Sequence, residues 1–143
     1  MTRKEAREAL FTLVYEMSFY SDSAEDGESL EETAKRLREY RDLDEAYIDQ
    51  GIAGIIAKRE EIDLMISENA IGWKIERLSR ISHAIMRLAC YEMVYTDLPV
   101  RIAINEALEL SKKYDHDQAP AFINGVLNSI ADKRGLKDGA EIN

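Results

Sequence analysis

The chain has 143 residues, a length that suits one domain with its own hydrophobic core, and 45% of its residues are hydrophobic. Its residue types favour helices, so we predict an all-α fold. The single cysteine excludes an intrachain disulfide. The formal net charge of −9 counts against nucleic-acid binding. The lack of a long apolar run predicts a cytoplasmic protein without a signal peptide or membrane span.

The first part of the chain predicts two helices with a loop between them. Apolar residues recur at helical spacing up to Met17, and Thr2 with Glu5 forms a possible capping box at the start. The polar, acidic stretch 21–29 predicts a loop. A short charged helix is predicted to follow it and to end near Tyr40.

A third helix is predicted from about residue 44 to residue 67, and it contains two glycines. Glycine costs about 1 kcal/mol relative to alanine inside a helix. Gly51 and Gly54 therefore indicate that another helix approaches closely. The segment 69–76 predicts the break that follows.

Three more helices are predicted in the second part of the chain. The first ends near Thr96, the second covers 100–114, and the third ends near Lys133, with Gly135 at the C′ position. In the third, pairs of apolar residues repeat every four residues: Phe122, Ile123, Val126, Leu127, Ile130 and Ala131. Asn124-Gly125 therefore lies in a helix rather than in a hairpin turn. We expect a polar contact for Asn124 and a close helix contact at Gly125, where leucine would overpack.

No residue pattern predicts catalysis, a metal site or a cofactor. His83 and His116 are far apart and outside metal-ligand spacing, and Glu106 has no second carboxylate motif beside it. Cys90 lies among apolar residues, which predicts a buried thiol. The sequence therefore favours a binding protein over an enzyme.

The excess of acidic over basic residues is confined to one part of the chain, so basic sites can lie elsewhere. Fifteen acidic and six basic residues lie within 21–69, and the other residues include thirteen of each. Arg3, Lys4 and Arg7 fall within about one helical turn and can converge on a phosphate. The same spacing equally fits a solvated helix start.

A second candidate site lies between the last two predicted helices. Lys112 and Lys113 close one helix, and backbone N–H groups at 119–122 open the next, which is a favourable place for an anion. Phe122 suits stacking on a base or packing in the core. Asn124 suits pairing with a base edge or with a neighbouring backbone group.

Four segments carry a resemblance to a known family: "REALFTLVYEM" near the N-terminus, and "MRLACYEM", "IAINEALELSKKY" and "FINGVL" within 76–133. With them the chain resembles the NusB family of bacterial transcription antitermination factors. The resemblance implies an all-α fold of about six to seven helices in two three-helix-bundle subdomains. These would cover about 1–70 and 71–136, with a tail at 137–143, and the protein would have no catalytic activity and no cofactor.

The resemblance also implies function and partners. NusB-like proteins bind the boxA element of nascent RNA together with the ribosomal protein NusE. The complex helps RNA polymerase read through terminators, notably in ribosomal RNA operons. The RNA-binding residues implied for this chain are Arg3, Lys4, Arg7, Lys112, Lys113, Gln118, Phe122 and Asn124. Tyr15, Tyr91 and Glu92 are implied for the surface that faces NusE.

Two alternatives stay open. The chain could be a helical protein–protein interaction scaffold without strong RNA binding, which fits its acidic balance and the position of Glu5 within the basic start. It could also be a detached RNA-binding domain of a ribosomal RNA methyltransferase. RNA binding that weakens steeply with salt would argue against the scaffold.

Overall fold

The computed structural model describes residues 1–20, 29–43, 45–72 and 78–136. These residues contain helices and no strand, which confirms the predicted all-α fold. The helices are α1 (Arg3–Met17), α2 (Leu30–Tyr40), α3 (Ala46–Ala57), α4 (Arg59–Asn69), α5 (Arg80–Tyr95), α6 (Val100–Tyr114) and α7 (Ala119–Lys133). None of them is long and apolar enough to cross a membrane.

Some predictions fall on residues that the structure does not describe. They concern the acidic loop at 21–29 apart from its last residue, the start of the third helix at Asp44, the second half of the break at 69–76, and the tail at 137–143.

The helix ends follow from local side-chain and backbone hydrogen bonds. Glu5 N–H donates to Thr2 Oγ1 at 3.0 Å and Thr2 N–H donates to Glu5 Oε1 at 2.8 Å, which confirms the capping box of α1. At the end of α7, Gly135 has a φ of 65°. The N–H of Leu136 donates to Ala131 O, and that of Gly135 to Asp132 O. This Schellman pattern confirms the predicted C′ glycine.

The predicted helix at 44–67 is two helices, so that prediction is wrong. Lys58 leaves the helical conformation, with φ −108° and ψ 13°, and separates α3 from α4. Its N–H still donates to Gly54 O at 3.0 Å, and its carbonyl still accepts from Ile62 N–H at 2.9 Å. The interruption is therefore one residue long, without the glycine or proline that would reveal it in the sequence. Beyond it, α4 packs against α5 and α7.

Helix α5 is the centre of the fold, since it packs against α1, α3, α4, α6 and α7. Helices α1, α2 and α3 also pack on one another, as do α6 and α7. The buried residues of the described helices form one hydrophobic cluster. The division into two subdomains stays a prediction.

The glycines of α3 lie at close helix contacts, as predicted. A methyl group on Gly51 would overlap Cδ2 of Leu10 on α1, and one on Gly54 would overlap the Tyr91 ring on α5. Gly125 is different, because a methyl group there would meet no atom within 4 Å. The predicted close contact at Gly125 is wrong: α7 turns Ile123 and Leu127 inward and leaves Gly125 on its exposed side.

One buried polar cluster joins α4 to α5. Arg87 donates to both Asp63 carboxylate oxygens, at 2.9 and 2.7 Å, and His83 Nε2 lies 2.8 Å from Asp63 Oδ1. Burial disfavours the charged carboxylate, yet the hydrogen bonds from Arg87 and His83 hold the pKa of Asp63 well below its usual range. His83 is therefore a mostly buried structural residue at this helix contact.

Candidate nucleic-acid interface

Packing brings the two predicted basic segments to one groove. Lys4 on α1 and Lys113 on α6 both line a cavity of about 140 Å³. Its other lining residues are Arg7, Glu8, Glu106, Glu109 and Leu110. We call this cavity the α1–α6 groove. It connects two sites that the sequence suggests only separately.

Arg3 and Lys4 are exposed in the first turn of α1. The Arg3 guanidinium carbon lies 4.3 Å from the centroid of the Tyr47 ring, where the π-face attracts the cation. Arg3 is thus held against α3 while remaining accessible. Both side chains are therefore accessible from solvent.

Arg7 does not belong to this exposed patch, and its predicted placement there is wrong. The residue is only 5% exposed. Its Nε and Nη2 atoms donate to the two carboxylate oxygens of Glu92, at 2.9 and 3.1 Å, and Nη1 lies 3.9 Å from Glu106. Although burial opposes a charge, these contacts with Glu92 raise the pKa of Arg7. Arg7 is a structural cation that fixes α1 to α5.

Glu92, predicted to face a partner, is the buried counter-ion of Arg7, so its predicted surface position is also wrong. It is 4% exposed, and one of its oxygens also accepts a hydrogen bond from Tyr47 O–H at 3.0 Å. Burial and the charge of Glu92 raise the pKa of Tyr47. Both Glu92 carboxylate oxygens are therefore hydrogen-bonded inside the protein.

At the end of α6, Lys112 and Lys113 are exposed, and Lys113 is already paired. Its ammonium donates to Glu8 Oε1 on α1, and Tyr114 O–H donates to the same oxygen. These hydrogen bonds, first that of Lys113, lower the pKa of Glu8. Glu8 and Tyr114 were missed by reasoning from the sequence. Tyr114 could have been found in the sequence, because it is an aromatic residue that directly follows two lysines.

The start of α7 offers less to an anion than predicted. Ala119 N–H donates to His116 O at 3.0 Å, and Pro120 has no N–H. Gln118 is exposed at the N-cap position, and its side chain makes no capping hydrogen bond. The Gln118 amide is therefore exposed and does not cap this helix.

Phe122 and Asn124 have different surroundings on α7. Phe122 is half-buried and packs against the hydrophobic core. Asn124 is exposed, and its Oδ1 accepts a hydrogen bond from Asn128 Nδ2 at 2.9 Å. Asn124 thus faces solvent rather than a neighbouring helix.

The two tyrosines predicted for a partner surface contact different elements. The Tyr15 ring meets Phe19 edge-on, with centroids 5.3 Å apart. Tyr91 packs over Gly54, and its O–H donates to Gln50 O at 3.4 Å. Both rings are half-buried, with part of each surface accessible.

No group of three or more His, Cys, Asp or Glu side chains in 1–20, 29–43, 45–72 and 78–136 is placed to hold a metal ion. Cys90 is buried as predicted, and burial raises the pKa of its thiol to about 12.

Comparisons with known proteins identify relatives over nearly the whole chain. The family model described as the NusB family matches residues 4–132. The transcription antitermination protein NusB of Agathobacter rectalis is 39% identical over 132 residues, which covers 92% of this chain and 100% of the relative. The protein of the same name from Clostridium novyi is 39% identical over 136 residues, covering 91% and 98%.

Solved structures agree with these relatives. NusB of T. maritima superposes with a TM-score of 0.76 at 30% identity, covering 93% of this chain and 92% of that one. A chain from a structure of the antitermination factors NusB and NusE in complex with dsRNA superposes with a TM-score of 0.74 at 25% identity, covering 92% and 96%.

Proposed function

Because the chain belongs to the NusB family, we propose that it is a transcription antitermination factor that binds boxA RNA together with the ribosomal protein NusE. In this role it supports read-through by RNA polymerase, notably in ribosomal RNA operons. It acts in the cytoplasm by binding, without a catalytic step and without a cofactor. The observation that carries the RNA part is the meeting of Lys4 and Lys113 at the α1–α6 groove.

The proposed phosphate-binding surface is the basic edge, defined as Arg3, Lys4, Lys112 and Lys113. All four side chains are exposed, so they can exchange counterions for RNA phosphates. Arg7 contributes indirectly, since its buried pair with Glu92 fixes the first turns of α1 against α5. The α1 part of the basic edge is thereby held in place against α5 despite the net charge of −9.

The start of α7 is proposed to contact bases. Gln118 and Asn124 are exposed amides, and an amide can donate to and accept from a base edge. Phe122 lies between them in sequence and keeps part of its ring accessible for stacking. This assignment follows the family resemblance, with the exposure of the two amides as its support.

The NusE-facing surface is proposed to include Tyr15 and Tyr91. The relative in complex with NusE and dsRNA supports a shared mode of assembly. Half-buried tyrosines present apolar area with a polar tip, which suits a protein interface. Glu92 contributes to this surface only through the packing of α5.

The experiment that tests RNA binding is a titration of boxA RNA and of a scrambled RNA, with and without NusE, at several salt concentrations. The double variant Arg3→Ala/Lys4→Ala is compared with Lys35→Ala/Arg36→Ala, which removes one lysine and one arginine from the exposed side of α2. We expect the first variant to lower the slope of log K against log salt by roughly 1.4, since each lost phosphate contact removes about 0.7. The control variant should keep the slope of the parent.

A different result would change the proposal. If the parent binds neither boxA RNA nor scrambled RNA under any of these conditions and still binds NusE, the chain is a protein interaction scaffold. If both double variants lower the slope of log K against log salt by the same amount, Arg3 and Lys4 are not specific contacts.

A further inference from the structure

Glu8 and Lys113, which line the α1–α6 groove, form a cluster with Tyr114 in which one acid holds two neighbouring donors. Glu8 Oε1 accepts hydrogen bonds from both the Lys113 ammonium and the Tyr114 hydroxyl. Lys113 Nζ also lies 5.3 Å from the centroid of the Tyr114 ring. A single carboxylate therefore holds a cation and an aromatic ring side by side at the protein surface.

The Tyr114 ring is positioned to stack with a further flat group. It packs against Phe11, with ring centroids 5.2 Å apart and an interplanar angle of 37°, and 39% of the residue remains exposed. Sites for single-stranded nucleic acid combine an aromatic ring for a base with a cation for the phosphate. Tyr114 and Lys113 supply both parts, and Lys4 lines the same groove.

We propose that Lys113 and Tyr114 form a nucleotide subsite for single-stranded RNA, which the Glu8 carboxylate occupies in the free protein. A base stacks on the Tyr114 ring, and its phosphate replaces Glu8 as the partner of the Lys113 ammonium. The inference rests on the proposed RNA-binding function and adds Tyr114 and Glu8 to it. Glu8 then lowers the RNA affinity, because the phosphate that binds at this subsite must displace its carboxylate.

Displacement of Glu8 is compatible with the packing of α1. The Glu8 side chain is 28% exposed and that of Lys113 is 61% exposed, and ion pairs this accessible contribute little to stability. Helix α1 is held instead by its buried residues and by Arg7. The exchange of one anion for another therefore leaves the fold intact.

The first test compares Glu8→Gln with Glu39→Gln in titrations with boxA RNA. Both variants remove one negative charge, but Glu39 lies on the exposed side of α2, away from the groove. We expect Glu8→Gln to bind RNA about two- to tenfold more tightly than the parent, because a neutral amide competes weakly for Lys113. Equal affinities of Glu8→Gln and Glu39→Gln would overturn the proposal.

The second test separates the ring of Tyr114 from its hydroxyl. Tyr114→Phe keeps the ring and frees it from Glu8, so its affinity should equal or exceed that of the parent. Tyr114→Leu removes the ring, and we expect binding to weaken about fivefold or more. An unchanged affinity of Tyr114→Leu, or equal losses in both variants, would overturn the subsite. Circular dichroism melts of each variant check that the fold is retained.

Binding of boxA RNA by the parent protein distinguishes failure of the proposed function from failure of the subsite. If it fails to bind boxA RNA with and without NusE, the proposed function fails and the subsite fails with it. If the parent binds and the Glu8 and Tyr114 variants do not respond as expected, only the subsite is overturned.

Discussion

The Arg7–Glu92 pair lies at the contact between α1 and α5, where both residues are almost fully excluded from water. Two hydrogen bonds join the guanidinium to the carboxylate, and Tyr47 O–H donates a third to the same acid. Such a geometry compensates the desolvation of both charges. Removal of one partner would leave the other as an uncompensated buried charge.

We therefore predict that Arg7→Ala lowers the free energy of unfolding by about 3–5 kcal/mol. Urea unfolding followed by circular dichroism measures this loss. The double variant Arg7→Met/Glu92→Leu removes both charges, so it should lose less stability than Arg7→Ala. Equal stability of Arg7→Ala and the parent would contradict a structural role for Arg7.

The same residue explains why a triple change of Arg3, Lys4 and Arg7 would be a poor test of RNA binding. Arg3 and Lys4 are exposed, whereas Arg7 is part of the packing between α1 and α5. Loss of RNA binding in the triple variant would combine lost phosphate contacts with a destabilised helix. The double change of Arg3 and Lys4 avoids this ambiguity.

At the scale of the helices, the glycines of α3 and α7 have opposite surroundings. Gly51 lies against Leu10, a fully buried residue of α1, so α3 and α1 approach closely only because Gly51 has no side chain. Gly125 lies on the exposed side of α7 with open space around it. The same substitution should therefore have opposite effects at the two positions.

We predict that Gly51→Ala destabilises the protein by about 1–3 kcal/mol through overpacking against Leu10. Gly125→Ala should stabilise it by about 0.5–1 kcal/mol, because alanine restricts the unfolded chain and favours the helix. Urea unfolding midpoints of the two variants provide the comparison. A loss of stability in Gly125→Ala, or none in Gly51→Ala, would contradict these assignments.

The break at Lys58 also affects how the helices are arranged. It separates α4 from α3, and α4 then places Asp63 beside His83 and Arg87 of α5. A continuous helix over 44–67 would carry Asp63 along the axis of α3 instead. The sequence around Lys58 favours helix on both sides, so only the packing of α4 against α5 and α7 decides the direction.

At the scale of the whole molecule, α5 is enclosed by the other helices, and Cys90 in its middle is fully buried. The thiolate is the reactive form of cysteine, and burial raises the pKa of this thiol to about 12. Access to Cys90 therefore requires that the helices around α5 open.

We predict that a thiol reagent at pH 8 labels Cys90 slowly in the native protein and rapidly in urea. The labelling rate at low urea concentration should follow the population of open molecules, as other signals of unfolding do. The variant Cys90→Ser provides the unlabelled control. Rapid labelling under native conditions would show that α5 is less enclosed than the structure indicates.

Much of the fold could be predicted from the sequence because its signals are local. The Thr2–Glu5 box, the stripe from Ile123 to Ala131 and Gly135 each act within one or two helical turns, and the structure confirms them. The glycines of α3 predicted close contacts without naming the partners, Leu10 and Tyr91, which lie on other helices.

The candidate site was predicted less well, since its surroundings come from distant parts of the chain. By itself, the sequence determined six helical segments and the side of each that is apolar, because hydrogen bonds and periodicity act between near neighbours. Only the tertiary structure decided that Arg7 is buried and Lys4 exposed, because α5 supplies Glu92 to Arg7. It likewise decided that Glu8 meets Lys113 and Tyr114, since that contact exists only where α1 and α6 line one groove.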